Sequence, residues 1–396
     1  MAKLRVLHVI TGLGLGGAES WLARLLSRLP DERFECRVTS LLDLSGEAGT
    51  LAETVRSLGA PVSSLGLRRG WAGPGALFAL AGQIRQWRPQ VVQTWLYHAD
   101  LLGLLAARAS GCGAAVSWGL RCAYMDFSRY GIGTRLTVRA CARLSAWPEA
   151  VTANSRAGAA RHVALGYRPR RLVVLENGVD LTRFQPDAEA RARLRAQWGV
   201  AEQTPVIGLL ARVDPMKGHE TFCRAGALLR RRCPDARLVL CGAGTEAGPE
   251  DDATALDRLI ADLGLEAAVI RLGRRDDPEA VLTALDVLAL ASRGEGFPNV
   301  VAEALACGTP VAGLDAGDAR ALAGAGGVFA APEATLSDEV TRAGALADRL
   351  QAVLDLPRAA RVEMGAKGRT HVMGLYGLDA ATARWAAHFE SLVPRI

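Results

Sequence analysis

The chain has 396 residues, half of them apolar, and its 47 Lys and Arg exceed its 41 Asp and Glu to give a net charge of +6. This length exceeds one ordinary core and predicts two domains of about 150–200 residues each. No apolar stretch reaches about 18 residues, and the N-terminus lacks the apolar core of a signal peptide, so we expect a cytoplasmic protein without a spanning helix.

Short apolar runs alternate with segments of helical periodicity along the first half of the chain. The predicted strand Leu4–Ile10 leads through a glycine-rich loop into the amphipathic segment Ala18–Leu29. Further strands are predicted at Arg37–Leu42, Val62–Leu65, Val91–Thr94, Ala114–Trp118, Val151–Ala153 and Leu172–Leu175. Strands separated by helical segments of about 10–15 residues indicate βαβ units and hence a parallel sheet.

The same alternation restarts after Asn177, and the polar segment Asp180–Gln203 has the composition of a linker region. Strands are predicted at Val206–Leu210, Arg237–Cys241, Val269–Leu272, Val287–Ala291 and Pro310–Ala312, before a helical tail over Ala359–Leu392. We therefore expect an α/β fold of two Rossmann-like doubly wound domains, residues 1–178 and 179–375, followed by a C-terminal helix over 376–396.

The loop after the first strand reads Thr-Gly-Leu-Gly-Leu-Gly-Gly-Ala-Glu over residues 11–19. Glycines let a phosphate or sugar approach the backbone closely, and the following helix start supplies free N–H groups. Gly12, Gly14 and Gly17 also match the dinucleotide-binding spacing G-x-G-x-x-G, which needs an acidic residue near the end of the second strand. The predicted second strand reaches Ser40 without an acidic residue, and Asp43 comes later than the dinucleotide-binding pattern requires. Two interpretations of the glycine-rich loop therefore remain open, a ligand-binding loop and a plain tight turn.

A second loop, Ala211–Gly218, directly follows the predicted strand Val206–Leu210. It carries Arg212 and Lys217, and Lys217 is one of only three lysines in a chain with 44 arginines. Two cations at the carboxyl end of a parallel strand can bind one anion in the crevice beyond the sheet. A solvated basic loop without a ligand is the alternative interpretation.

The third segment, Ser292–Glu303, contains two carboxylates with seven residues between them. Glu295 lies in a glycine-rich loop, whereas Glu303 lies among apolar neighbours on a helix whose first turn contains Pro298. Because burial of an unpaired carboxylate is costly, Glu303 needs a partner. Ligand hydroxyls and an internal ion pair are both suitable partners.

Together these segments resemble retaining glycosyltransferases of the GT-B fold, glycosyltransferase family 4. The segment from Glu295 to Glu303 is similar to the E-x7-E signature of that family. In matching order over about residues 5–330, the resemblance extends to Gly16–Glu19, Asn177–Asp180, Arg212 with Lys217, and Ala304–Val311. It implies two domains that face each other across a cleft, with the last helix crossing back to the first domain.

The resemblance implies which residues carry catalysis. Arg212 and Lys217 would hold the diphosphate of a nucleotide diphosphate sugar, and Glu295 would bind the hydroxyls of the donor sugar. His98, in the stretch Trp95–Asp100, matches a histidine that faces the donor sugar, although a purely structural role for it is equally open.

The resemblance implies further donor-binding residues. Glu303 would bind the ribose hydroxyls, and Arg274 belongs to a stretch that would meet the base through its backbone. Gly16 and Gly17 would close over the diphosphate from the other domain. Groups that would reach the sugar or phosphate come from Gly296, Phe297, Asn299 and Val300.

Sugar transfer from a nucleotide diphosphate builds negative charge on the leaving phosphate, which fixed cations and amides can stabilise without a metal. The sequence contains no D-x-D-like triplet after a strand, and its eight cysteines form no C-x-x-C pair. We therefore expect no metal and no cofactor beyond the donor substrate. The resemblance implies transfer with retention and favours a uridine diphosphate sugar, with guanosine diphosphate as the alternative carrier.

Two other functions are consistent with parts of the sequence. A Rossmann-type NAD(P)-dependent oxidoreductase is compatible with Gly12, Gly14 and Gly17, but the acid after the second strand is missing. A non-catalytic sugar-nucleotide-binding protein is compatible with the fold, although the combination of Arg212, Lys217, Glu295 and Glu303 argues against it.

The charge is unevenly distributed, because residues 1–175 hold 22 Lys and Arg against 10 Asp and Glu, whereas the remainder is acidic. We expect the acceptor, a glycan, a lipid-linked molecule or a small molecule, to approach this basic half, and we expect no nucleic-acid partner. Peripheral contact with an anionic membrane and a merely solvated basic surface are equally open. The residues proposed for that contact are Arg68, Arg69, Trp71, Arg121, Tyr124, Phe127, Arg129, Tyr130, Arg135, Arg139 and Arg143.

Overall fold

The computed structural model describes residues 3–68, 73–123, 130–246, 251–332 and 335–393. The chain forms two compact units, here called the N-terminal unit, Met1–Gly178 with Leu378–Ile396, and the C-terminal unit, Val179–Gly377. Each unit has a parallel sheet of its own. Among the described residues, no helix is long and apolar enough to cross a membrane.

The N-terminal unit contains a seven-stranded sheet in the order β3-β2-β1-β4-β5-β6-β7. Its strands are β1 Leu4–Ile10, β2 Phe34–Leu42, β3 Val62–Leu67, β4 Val91–Trp95, β5 Ala115–Leu120, β6 Ala150–Ala153 and β7 Leu172–Val174. Its helices are α1 Gly17–Leu26, α2 Ala52–Ser57, α3 Pro74–Trp87, α4 Tyr97–Ser110, α5 Ile132–Leu144, α6 Arg156–Ala164 and, from the end of the chain, α15 Leu378–Ser391.

The C-terminal unit contains a six-stranded sheet in the order β10-β9-β8-β11-β12-β13. Its strands are β8 Val206–Leu210, β9 Arg237–Cys241, β10 Val269–Gly273, β11 Val287–Leu290, β12 Val311–Asp315 and β13 Gly327–Pro332. Its helices are α7 Ala188–Gln197, α8 His219–Arg230, α9 Asp251–Asp262, α10 Pro278–Ala284, α11 Asn299–Ala306, α12 Ala319–Ala323, α13 Glu339–Leu354 and α14 Arg358–Tyr376.

The predicted α/β class with two doubly wound sheets is confirmed, because every strand pair in both sheets is parallel and helices separate the strands. Apolar side chains cover both faces of each sheet. In β1, Leu7 and Val9 belong to one core cluster and Val6 and Ile10 to another, since successive side chains of a strand point to opposite faces.

The sequence analysis missed one strand, β13. The helical tail predicted over Ala359–Leu392 consists of two helices, α14 and α15, separated at Gly377. A parallel bridge joins Gly377 to Val179, and the Val179 amide donates to the carbonyl of Tyr376 at 2.8 Å. The chain therefore leaves the C-terminal unit beside the point at which it entered.

Helix α15 packs into the N-terminal unit through buried aromatic side chains. Trp385 stacks on Trp95 with 5.1 Å between ring centroids, and Phe389 meets the edge of His8 at 5.8 Å. The ring nitrogen Nε2 of His388 lies 3.0 Å from the hydroxyl of Ser117 in β5. Almost 200 residues of the C-terminal unit separate this helix in sequence from the rest of the N-terminal unit, and yet it completes one face of the first sheet.

Candidate functional site

In the C-terminal unit, the predicted site residues gather where the strand order reverses. Chain connections run from β8 outward to β10 on one side and from β11 outward to β13 on the other, so neighbouring strands β8 and β11 diverge at this point. Loops at the carboxyl ends of two such strands form the crevice in which doubly wound sheets bind ligands. The segments 211–218 and 291–298 are these two loops.

Backbone contacts join the two loops. Asp214 caps the turn by accepting the amide of Met216 at 2.8 Å, and the Met216 carbonyl accepts the amide of Arg293 from the other loop at 2.8 Å. Gly218 has a φ of +71°, and a Cβ there would lie only 2.1 Å from the carbonyl oxygen of Ala291. Position 218 therefore requires glycine both for its conformation and for the close approach of the loops.

Lys217 and Glu295 form an ion pair across the two loops. The Lys217 Nζ donates to Glu295 Oε1 at 2.7 Å, and the Ser292 hydroxyl donates to the same oxygen at 2.7 Å. Glu295 is 12% exposed and Lys217 is 30% exposed, so the pair is accessible on its cationic side. The structure thereby joins two of the predicted catalytic residues directly.

Arg212 lies in the same loop with a more exposed side chain. Its Nη2 donates to Asp214 Oδ2 at 3.0 Å, and 58% of the Arg212 side chain is exposed. Because an exposed ion pair contributes little free energy, Arg212 can leave Asp214 and bind an anionic ligand at little energetic cost. Arg212 and Lys217 are consequently two cations of one loop that an anionic ligand can recruit.

The remaining part of the second loop presents its backbone. The carbonyl of Gly296 accepts the amide of Asp318 at 3.1 Å, and Gly317 approaches so closely that a Cβ there would lie 2.3 Å from the carbonyl of Glu295. Phe297 is buried against Tyr376 with ring centroids 5.6 Å apart. Its side chain therefore belongs to the core, and only its backbone is suited to contact a ligand.

Helix α11 begins at Asn299, directly after the extended Pro298. Asn299, Val300 and Glu303 are half-buried, in contrast to Val301 and Ala302, which are fully buried. Asn299 and Glu303 are four residues apart and therefore share one face of the helix. This face follows immediately after the Glu295 loop in the chain.

Arg274 follows β10, which is two strands away from β8 in the sheet. Its backbone amide donates to Glu246 Oε1 at 2.9 Å, and the amide of Gly244 donates to Glu246 Oε2 at 2.7 Å. Hydrogen bonds from its own amide and from those of Arg274 and Gly244 hold the pKa of Glu246 below its usual value. The sequence did not single out Glu246, and the Arg274 amide is already bonded to it.

In the N-terminal unit, α1 begins immediately after Gly16. Gly16 has an extended backbone and makes no side-chain cap, so the first amides of α1 depend on another partner. A Cβ at position 16 would lie 2.2 Å from Glu19 Oε2. The Glu19 side chain can therefore keep its place over this turn only while residue 16 is glycine. Gly16 and Gly17 thus open a helix N-terminus of the kind that binds phosphate groups.

His98 lies in the first turn of α4 at the carboxyl end of β4, the strand next to β1. Leu96, just before the helix, has a φ of +75°, which is a strained conformation for leucine. Asp100 secures this turn, because its Oδ1 accepts the Thr94 hydroxyl and the Gly119 amide. His98 is exposed, yet desolvation by the surrounding chain lowers its pKa and favours the neutral imidazole.

The side chain of Arg121, which was proposed to contact an anionic membrane, is instead directed into the N-terminal unit. Its Nη2 donates to Asn177 Oδ1, its guanidinium lies 5.2 Å from the ring centroid of Trp95, and its Nε and Nη1 are buried. Burial lowers the pKa of Arg121 to about 9, and the charge of Glu19 opposes this shift. That prediction was wrong because β5 ends against a buried indole.

Five other proposed membrane contacts lie outside the described residues, namely Arg69, Trp71, Tyr124, Phe127 and Arg129.

Two parallel doubly wound sheets with basic and glycine-rich loops at their switch points are typical of nucleotide-binding α/β proteins. The family described as Glycosyltransferase Family 4 matches residues 15–183, and Glycosyl transferases group 1 matches residues 190–371. The chain belongs to the glycosyltransferases of family 4 with the GT-B fold, as its motifs predicted.

Curated relatives match over a limited part of the chain. A D-inositol 3-phosphate glycosyltransferase of Salinispora arenicola is 39% identical over 153 residues, which is 36% of this chain and 34% of that protein. A GDP-mannose-dependent alpha-(1-6)-phosphatidylinositol monomannoside mannosyltransferase of Mycolicibacterium smegmatis is 38% identical over 148 residues, 35% of this chain and 36% of that protein. The chain thus spans about a third of the length of the curated relatives it matches.

Solved structures are similar over nearly the whole chain. Anabaena HepE, determined in complex with UDP, has a TM-score of 0.81 at 23% identity and covers 98% of this chain and 100% of its own. Sucrose-phosphate synthase from Thermosynechococcus elongatus has a TM-score of 0.77 at 18% identity, with 98% and 99% covered. At these identities the similarity establishes the fold.

Proposed function

We propose that the protein is a metal-independent, retaining glycosyltransferase that moves a sugar from a nucleotide diphosphate sugar to an acceptor. The observation that carries this proposal is the Lys217–Glu295 pair, which joins a cation suited to a diphosphate and a carboxylate suited to sugar hydroxyls at one switch point. Membership of family 4 supports the same reaction class.

The donor diphosphate recruits Arg212 and Lys217. When it binds, Lys217 exchanges its bond with Glu295 for a phosphate oxygen, and Glu295 becomes available to the sugar hydroxyls. The bond between the anomeric carbon and the diphosphate breaks while the acceptor oxygen bonds that carbon on the same face. The acceptor proton passes to the leaving phosphate, whose growing negative charge the two cations stabilise.

Other residues would hold the rest of the donor. Glu303 binds the ribose, since it shares a helix face with Asn299 directly after the Glu295 loop. Gly17 contributes its amide at the start of α1 to the diphosphate, and Gly16, whose own amide donates to the Gly14 carbonyl at 3.1 Å, lets the diphosphate approach this turn closely. His98 contacts the donor sugar as a neutral imidazole, which can accept a hydrogen bond from a hydroxyl.

The segments before and around α11 would contribute through their backbone. Gly296, Phe297 and Val300 offer main-chain groups to the sugar or phosphate. Arg274 would meet the base through its carbonyl, because its amide is bonded to Glu246. This assignment keeps the predicted backbone contact at Arg274 and specifies the carbonyl as the group that makes it.

We favour uridine diphosphate as the carrier, and the UDP complex of the similar HepE structure supports this choice. The GDP-mannose of the mycobacterial relative makes guanosine diphosphate the alternative. The acceptor is a glycan, a lipid-linked molecule or a small molecule.

Thermal unfolding with each nucleoside diphosphate tests the donor site. A ligand at about 100 times its dissociation constant adds about 2.7 kcal/mol to the free energy of unfolding. UDP should raise the unfolding temperature of the wild type and of Lys367→Ala, but much less that of Lys217→Ala. No shift with any nucleoside diphosphate would reject the proposal.

Two further measurements separate this function from its alternatives. Slow hydrolysis of the donor without acceptor distinguishes an enzyme from a non-catalytic sugar-nucleotide-binding protein, and an ultraviolet spectrum of a bound nicotinamide would favour an oxidoreductase. Activity should persist in EDTA, because protein side chains provide the positive charge. Loss of activity in EDTA that Mg²⁺ restores would contradict the metal-independent mechanism.

A further inference from the structure

Helix α5 of the N-terminal unit exposes large apolar side chains. Ile132 is 74% exposed and Leu136 is 56% exposed, and their spacing of four residues places them on one side of the helix. The opposite side packs inward through Val138 and Cys141, which are buried. The apolar exposure therefore belongs to a stably packed helix, not to a loose segment.

The same outward side carries positive charge. Arg139 and Arg143 follow Ile132 and Leu136 on this side, and both are exposed. Within the part of the chain that the structure describes, neither arginine has an ion-pair partner. Helix α5 contains no acidic residue. Ile132, Leu136, Arg139 and Arg143 are here called the α5 face.

Arg135 lies at the margin of the α5 face and is half-buried. Its Nε donates to the carbonyl of Tyr130 at 2.7 Å, which ties the first turn of the helix to the chain just before the N-cap residue Gly131. Tyr130 is itself 37% exposed. An exposed tyrosine beside apolar and basic side chains is the composition of a protein surface at a lipid interface.

The topology places the apolar end of the α5 face near His98. Helix α5 connects the carboxyl end of β5 to the amino end of β6, so its first residues lie toward the carboxyl edge of the sheet. His98 follows β4, which neighbours β5, at the same edge. A surface bound to the α5 face would therefore lie beside the edge that carries His98.

We infer that the α5 face docks on an anionic lipid surface. Ile132 and Leu136 enter the boundary between headgroups and acyl chains, and Arg139 and Arg143 bind lipid phosphates. The positive balance of the N-terminal half complements such a surface. Pairing with a second copy of the chain is disfavoured, because a twofold contact through this face would collect four arginines and no carboxylate of α5 in one interface. The docking rests on the proposed function only in that it brings a lipid-linked acceptor to the enzyme.

Flotation of the 396-residue chain with vesicles tests this inference without donor or acceptor. The protein should bind phosphatidylcholine vesicles that contain phosphatidylglycerol at low salt, and it should bind less at high salt. Arg139→Gln/Arg143→Gln should weaken binding by about 30-fold, since each arginine contributes about fivefold at such a surface. Ile132→Ser/Leu136→Ser should weaken it by at least about tenfold.

Matched variants provide the controls. Arg170→Gln/Arg171→Gln removes the same charge from other exposed positions of the unit, and Phe78→Ser removes a side chain that is 69% exposed on α3. Both should bind vesicles as the wild type does. Equal loss in the two control variants would overturn the inference. Absence of vesicle binding at low salt would also overturn it, as would dimerisation that Ile132→Ser/Leu136→Ser abolishes in a protein that does not bind vesicles. None of these outcomes concerns donor binding, so the two proposals can fail separately.

Discussion

At the scale of single residues, Lys217 and Glu295 neutralise each other before any donor binds. Their 2.7 Å bond keeps a partly buried carboxylate paired, which avoids the cost of an isolated buried charge. A substitution of either residue also changes the charge next to the other one. The predicted effects of each variant on donor binding therefore include the effect on its partner.

Lys217→Ala should reduce the rate of sugar transfer by about 100-fold, corresponding to about 3 kcal/mol, because the departing phosphate loses a charged partner. The fold should remain intact, since Ser292 still donates to Glu295. Steady-state kinetics with the donor measure the effect. Lys367→Ala is the matched control, because it removes a lysine that is 59% exposed and paired with Glu363 within α14. Near-wild-type turnover of Lys217→Ala would show that this loop does not bind the donor.

The two carboxylates should fail in different ways. Glu303→Gln should weaken binding of the nucleoside diphosphate by about tenfold or more, because a hydrogen bond to a charged group contributes about 1.5–3 kcal/mol. Glu295→Gln should bind the nucleoside diphosphate at least as tightly as the wild type, because Lys217 loses its competing carboxylate, and yet it should transfer sugar poorly. Titration calorimetry distinguishes these effects. Equal weakening in both variants would contradict the assigned roles.

The sequence could identify Lys217 and Glu295 but not their contact. They are 78 residues apart and meet only because β8 and β11 are neighbours in the sheet. The bond between Glu246 and the Arg274 amide was hidden for the same reason, since it depends on how β9 and β10 end together. Ordered motifs reveal residue types that suit a chemistry, whereas partners across strands follow from the folded sheet.

At the scale of elements, most strands could be predicted because they are short apolar runs between helical segments. Strand β13 escaped prediction because Gly-Val-Phe-Ala-Ala-Pro contains a glycine and a proline, and it lies at the edge of its sheet, where both are tolerated. The break between α14 and α15 lies at Gly377, where the backbone forms a bridge to Val179. No local periodicity contains that long-range contact.

Helix α15 should contribute strongly to the stability of the N-terminal unit. Trp385 is fully buried and stacks on Trp95, so Trp385→Ala should lower the free energy of unfolding by about 3–5 kcal/mol. Urea denaturation followed by circular dichroism measures the change. Trp147→Ala, at a position that is 55% exposed, should change it by less than about 0.5 kcal/mol. A similar small effect of both substitutions would show that α15 is not part of this core.

At the scale of the whole molecule, buried histidines in both units link stability to pH. Burial lowers the pKa of His8 to about 3 and that of His388 to about 4 in the N-terminal unit, and burial lowers the pKa of His219 to about 4 in the C-terminal unit. In the N-terminal unit, Asp100 acts in the opposite direction, because burial raises its pKa to about 7. The pH dependence of the stability of that unit is therefore the sum of the histidine contributions, reduced by the opposite contribution of Asp100.

The free energy of unfolding should fall as the pH decreases from about 6.5 to about 4. In this range the unfolded chain binds protons at histidines that stay neutral in the native protein, which costs about 1.4 kcal/mol per pH unit for each such histidine. His388→Asn should remove one of these protons while it preserves a polar partner for Ser117, so the slope of stability against pH should become shallower by that amount. Urea denaturation at a series of pH values gives the slope. An unchanged slope in His388→Asn would mean that the ring is already charged in the native protein, despite its burial and the nearby positive charge of Arg171.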